Sequence, residues 1–82
     1  MERVALVTGG SRGIGAAICV ALKSEGYKVA ATYSGNEEAA SKFSDDTGIP
    51  TYKWNVANYE ESTDGLKKVQ TDLGPIDTVI AN

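Results

Sequence analysis

The sequence contains no histidine and a single cysteine, Cys19. Without an imidazole, Ser-His-Asp and Cys-His nucleophilic schemes are excluded, together with the usual proton carrier near neutral pH. One thiol and no histidine also exclude an internal disulfide and the usual zinc site, so Cys19 reads as a small core residue. Basic charge is scarce: eight Lys and Arg against eleven Asp and Glu give a net charge of −3. That balance leaves nothing to neutralise a phosphate backbone, and nucleic acid is excluded as a partner. No apolar run approaches the roughly 18 residues that cross a bilayer. Met1-Glu2-Arg3-Val4 opens no apolar leader, and a cytoplasmic protein with no membrane contact is expected. Aromatic residues make up only 7% of the 82 positions, a length that allows one small domain or part of a larger one.

What is present is a 41% apolar complement distributed in short blocks. Val4-Ala5-Leu6-Val7 is a continuous apolar run of the kind found in a strand covered on both faces, which predicts a central strand of a parallel sheet. Ile14, Ala17, Ile18, Ala21 and Leu22 then fall on one face of a helix that ends at Gly26. Lys28 to Tyr33 reads as a second strand. Ser34-Gly35-Asn36 reads as a turn capping a second helix, with Glu37 and Glu38 at its positive dipole end and Gly48 and Pro50 as its stop. Thr51 to Val56, rich in β-branched and aromatic residues, predicts strand three. Asn58 predicts a cap for a third helix with the buried stripe Ser62, Leu66, Val69 and Leu73, and Ile76 to Ala81 predicts strand four. Trp54 reads as packing between elements, and Asp45-Asp46 and Glu60-Glu61 as solvated helix faces. The order βαβαβαβ implies an α/β fold: half of a doubly wound, Rossmann-type open parallel sheet. Strand four would leave an uncovered edge at Asn82. Residues 1–82 are therefore expected to be the amino-terminal part of a single nucleotide-binding domain.

The stretch Thr8-Gly9-Gly10-Ser11-Arg12-Gly13-Ile14-Gly15 joins the first strand to the first helix. Glycines admit positive φ and close approach of a ligand, and a helix start offers free N–H groups and partial positive charge, so the turn is predicted to hold a pyrophosphate. Charge supports an anion here: residues 1 to 34 carry four basic and two acidic side chains, net +2, whereas residues 35 to 82 carry four and nine, net −5. Gly9-Gly10-Ser11-Arg12-Gly13 also fits the G-x-S-x-G of a nucleophile elbow, but no base exists to activate Ser11. Ala16 and Ala17 stand where a Walker A loop requires Lys and Ser or Thr.

The spacing T-G-x-x-x-G-x-G resembles the cofactor motif of the short-chain dehydrogenase/reductase family. Asn55-Val56 resembles the family's adenine-contacting pair. Gly74-Pro75-Ile76-Asp77 leading to Val79-Ile80-Ala81-Asn82 resembles the approach to its N-N-A-G turn, with Ala81 in place of the first Asn. Within the family the residues 52–58 and 72–77 are most similar to bacterial acetoacetyl-CoA reductases and 3-oxoacyl carrier-protein reductases. The resemblance implies NADPH-dependent reduction of a 3-oxoacyl thioester by a homotetrameric whole protein, with acetoacetyl-CoA yielding 3-hydroxybutanoyl-CoA. It also implies a catalytic Ser, Tyr and Lys in a half absent from these residues. Tyr27, Tyr33, Tyr52 and Tyr59 are followed four positions on by Ala31, Glu37, Val56 and Thr63. No Tyr-x-x-x-Lys exists here, and the 82-residue chain is expected to be inactive by itself. The end of strand two, Thr32-Tyr33-Ser34, carries no carboxylate to hold an unphosphorylated ribose, which with Arg12 favours NADP(H) over NAD(H). The expected cofactor set is Gly9, Ser11, Arg12, Gly13, Ile14 and Gly15 at the turn, Tyr33 and Ser34 at the ribose phosphate, Asn55 and Val56 at adenine, and Asn82 at the nicotinamide-side ribose. A stand-alone nucleotide-binding module and an inactive fragment are the alternatives.

Overall fold

The computed structural model describes residues 3–11 and 13–82; Arg12 lies outside the described residues. Seven elements follow in order: β1 (Val4–Val7), α1 (Gly13–Ser24), β2 (Lys28–Tyr33), α2 (Glu37–Thr47), β3 (Thr51–Lys53), α3 (Tyr59–Leu73) and β4 (Thr78–Ile80). The strands form one parallel sheet in the order β3-β2-β1-β4. β1 is central, as its unbroken apolar run predicts, and all four of its residues are buried. Register is set by Leu6 opposite Ala30 on one side and Val79 on the other.

Successive residues of the central strands point to opposite faces and feed two cores. Val7, Val29 and Ala31 pack with Cys19, Phe43 and Ile49 under α1 and α2. Leu6 and Ala30 pack with Tyr52, Trp54 and Val69 under α3. Cys19 is fully buried, and burial pushes its thiol up to about 11. α2 starts where Asn36 Oδ1 accepts the Ala39 N–H at 3.0 Å and stops at Gly48, whose φ of 74° is left-handed. α3 starts where Asn58 Oδ1 accepts the Glu61 N–H at 3.0 Å. Lys23, in the last turn of α1, donates to the Thr47 carbonyl at the negative end of α2 and ties the two helices together. No helix among the described residues is long and apolar enough to cross a membrane.

Three expectations are corrected. On α1 the sheet-facing side is Gly15 and Cys19, flanked by Ala16, Ile18 and Leu22, whereas Ile14, Ala17 and Ala21 are exposed. The helix is apolar nearly all round, so large residues misplace the stripe, and glycine contributes no hydrophobic signal although it comes closest to the sheet. β3 ends at Lys53 instead of Val56. One more ladder bond, Trp54 N–H to the Tyr33 carbonyl at 3.0 Å, is made before Asn55 turns the chain. β4 is confined to Thr78–Ile80; ahead of it, Asp77 exchanges two bonds with Val4, donating its N–H to the carbonyl at 2.9 Å and accepting the Val4 N–H on Oδ2 at 2.8 Å.

Tyr52 joins β3 to the end of α3 by donating its hydroxyl to Asp72 Oδ2 at 2.8 Å. Burial, followed by that bond, pushes the phenol up to about 12. The folded state thus holds Tyr52 protonated; its contribution is complete below the ordinary phenol value of about 10 and is lost as pH rises through about 12. In urea denaturation, the stability advantage of the native protein over Tyr52→Phe is expected to shrink between about pH 10 and pH 12. An advantage that stays constant across that range refutes the assignment.

Candidate functional site

The carboxyl ends of β1, β2 and β4 meet at the glycine turn. Thr8 continues β1, its N–H bonded to the Ile80 carbonyl at 3.0 Å. The turn is then pinned from both neighbouring strands. Thr32, 1% exposed at the end of β2, accepts the Gly9 N–H on Oγ1 at 3.3 Å and the Gly10 N–H on its carbonyl at 3.2 Å. Asn82, just past β4, donates its main-chain N–H to Thr8 Oγ1 at 3.1 Å and its side-chain Nδ2 to the Gly9 carbonyl at 3.3 Å.

The glycines divide by what surrounds them. At Gly15 a Cβ would lie 2.3 Å from the Gly9 carbonyl oxygen and 2.7 Å from Asn82 Nδ2, so α1 packs directly on the turn only because position 15 has no side chain. At Gly10 a Cβ would lie 2.7 Å from Cys19 Sγ and 2.8 Å from Ala31 Cβ. Gly13 is the opposite case: its φ is +60° and nothing lies within 4 Å, so the backbone there borders open space. The close approach at Gly15 brings the start of α1, with no acidic residue in its first turn, to the edge of that space.

The space is a cleft of about 600 Å³ lined by Gly9, Ser11 and Gly13 on the turn, Tyr33, Ser34, Gly35 and Asn36 beyond β2, and Asn82. Among the described residues no carboxylate lines it. A smaller cleft of about 150 Å³ adjoins it through Gly9, Tyr33, Ser34 and Asn82 and extends to Asn55, Val56 and Trp54. The volume suits a ligand of dinucleotide class. At its rim Lys53 pairs with Glu37 at 2.6 Å, which holds the Glu37 carboxyl below its ordinary range.

Of the expected residues, Gly9, Ser11, Gly13, Tyr33, Ser34 and Asn82 come together on the larger cleft and Asn55 and Val56 on the smaller. Gly15 lies behind the turn. Ile14 lines neither cleft and is 74% exposed in the first turn of α1. Sequence reasoning quoted Thr8, Gly10 and Thr32 without seeing that they hold the turn, and read Asn36 as part of the cap of α2 but not as a lining residue of the cleft. A hydroxyl directly after the apolar run Val29–Ala31 was the available signal for Thr32.

The family model for short chain dehydrogenase matches residues 3–82. The acetoacetyl-CoA reductases of Rhizobium meliloti (strain 1021) and Paracoccus denitrificans are 62% and 58% identical to the chain, over all of it and over 34% of their own lengths. A 3-oxoacyl-(acyl-carrier-protein) reductase FabG of Staphylococcus aureus (strain N315) is 37% identical over 87 aligned residues, covering all of the chain and 35% of that protein. The chain thus spans about a third of the length of these relatives. Among solved structures, a short-chain dehydrogenase/reductase from Serratia marcescens superposes with a TM-score of 0.90 at 32% identity, covering 98% of this chain and 35% of that one. A short chain dehydrogenase from Bacillus anthracis superposes with a TM-score of 0.89 at 26% identity, covering 99% and 34%.

Gly15→Ala is expected to cost about 3 kcal/mol, the upper end of the overpacking range, because the carbonyl it meets is main chain and cannot turn aside. Gly13→Ala, opposed only by its positive φ, is expected to cost about 1 kcal/mol. Urea denaturation of the two variants side by side checks this; equal losses refute the close-packing role of Gly15.

Proposed function

Because the chain belongs to the short chain dehydrogenase family, we propose that residues 1–82 are the cofactor-binding part of an NADPH-dependent reductase of 3-oxoacyl thioesters, acting on acetoacetyl-CoA. The observation that carries the cofactor reading is the larger cleft: an open glycine turn at a helix start at one end, hydroxyl side chains at the other, and no carboxylate among its lining residues. The absent Cβ atoms at Gly9 and Gly13 and the missing acids in the first turn of α1 fit a pyrophosphate. Ser11 and the main-chain N–H groups that open α1 receive that group. Tyr33 and Ser34, with Arg12 in the turn sequence, receive the ribose 2′-phosphate, Asn55 and Val56 border the adenine, and Asn82 borders the nicotinamide-side ribose. A bound reduced nicotinamide supplies the hydride for carbonyl reduction.

The substrate reading is supported by the 62% identity to the acetoacetyl-CoA reductase of Rhizobium meliloti (strain 1021). Residues 1–82 hold no Tyr-x-x-x-Lys pair to deliver a proton to the carbonyl oxygen, so we assign them binding without turnover. The same reading makes the whole protein a cytoplasmic homotetramer.

Kinetics of the full-length protein with acetoacetyl-CoA test the assignment. NADPH is expected to be used in preference to NADH. Ser34→Asp, which puts a carboxylate where the 2′-phosphate is assigned, is expected to raise the KM for NADPH about tenfold or more while sparing NADH. Arg12→Ala is expected to raise the dissociation constant for NADPH more than that for NADH. Equal effects on both cofactors overturn the phosphate assignment.

A further inference from the structure

We infer that Glu61, Gly65 and Trp54 are positioning residues for the adenine end of the cofactor, acting through the segment Asn55–Val56. The inference rests on the NADP(H) reading above. Asn55 and Val56 lie past the end of β3 and are exposed, Val56 by 53%, so burial does not fix them. They are fixed instead by the start of α3. The Asn55 N–H donates to Glu61 Oε1 at 3.1 Å, its carbonyl accepts from the Asn58 N–H at 2.9 Å, and its Oδ1 accepts from the Ala57 N–H at 3.0 Å. Ser62 Oγ donates to the Val56 carbonyl at 3.3 Å. Glu61 is itself in the turn that Asn58 caps, so cap and clasp are one network.

One helical turn further on, the same face of α3 meets Trp54. A Cβ at Gly65 would lie 2.2 Å from Trp54 Cε3, 2.5 Å from Cζ3 and 2.6 Å from Cδ2, so the indole lies flush against the helix backbone. Two costs are accepted at this contact. A glycine inside a helix is less favourable than alanine. Trp54 is 5% exposed, and its Nε1–H is buried without a hydrogen-bond partner among the described residues, a second unfavourable feature. A leucine over an alanine would fill the space without either. What the indole and glycine add is a rigid plate whose position sets the next two residues, and Trp54, Asn55 and Val56 together line the smaller cleft. Glu61 holds the segment by a polar bond and Gly65 by contact, four residues apart on one helix.

The test uses the full-length protein and equilibrium binding of NADPH and of reduced nicotinamide mononucleotide, which shares the nicotinamide end and lacks the adenosine. Gly65→Ala is expected to raise the dissociation constant for NADPH about tenfold and to leave that for the mononucleotide unchanged. Adding Trp54→Leu to Gly65→Ala, which makes room for the new Cβ but removes the indole plate, is expected to leave NADPH affinity weakened; full recovery overturns the role of Trp54. Glu61→Ala is expected to weaken NADPH in the same selective way, and Glu61→Gln, which keeps the acceptor oxygen, to retain it. Unchanged NADPH affinity in both Gly65→Ala and Glu61→Ala overturns the inference, and so does equal weakening of both ligands, which marks general loosening of the fold. If Gly65→Ala does not fold, the exposed Glu61 pair decides by the same criteria. A native protein that binds NADPH no more tightly than the mononucleotide overturns the cofactor reading, and the inference with it.

Discussion

The site depends on how the amides of the glycine turn are shared out. Thr32 takes the N–H groups of both Gly9 and Gly10, using its side chain for one and its carbonyl for the other. Those two donors are consumed inside the fold, as buried amides must be. Beyond them, the first turn of α1 opens beside the open face of Gly13, where helix-start N–H groups have no intrahelical partner. A turn whose first amides were left free would collapse onto the anion or onto itself. Pinning them gives the remaining donors a fixed origin from which to face the cleft.

Electrostatics reinforce that division. α2 and α3 begin alike, each with an asparagine cap and two glutamates in the first turn, so their positive ends are neutralised locally. α1 has no acid in its first turn. Of the three helix starts among the described residues, the one at the glycine turn has no acidic side chain to neutralise it. Lys53 and Glu37 pair with each other, and the polar side chains on the far wall are those of Tyr33, Ser34 and Asn36.

Much of this was legible in the residues. The uninterrupted Val4–Val7 run foretold a central strand, and Asn36, Gly48 and Asn58 marked helix ends where the caps are found. The order of the elements and the parallel sheet followed from them. What stayed hidden depends on contacts between distant segments. Gly15 and Cys19 face the sheet although Ile14 and Ala17 are the stronger hydrophobic signals, because closeness to the turn selects small residues there. The early end of β3 depends on Glu61 reaching back to Asn55, and the meaning of Gly65 depends on Trp54, eleven positions away. In the site, Ser11, Tyr33 and Ser34 were found by type and place, whereas the roles of Thr8 and Thr32 depend on who accepts from whom.

The bonds from Asn82 to Thr8 and Gly9 span 74 and 73 positions, and Asp77 reaches back 73 to Val4. Contacts so remote along the chain close late in folding, since the entropy of the intervening loop must first be overcome. On a ribosome, where segments emerge in order, the glycine turn is made among the first residues, is met next by Thr32, and is fastened from its other side only by residues that arrive long afterwards. Until β4 docks, the nascent chain holds that loop from the β2 side alone. The finished shape of the turn is thus timed by the arrival of β4 and not by synthesis of the turn itself.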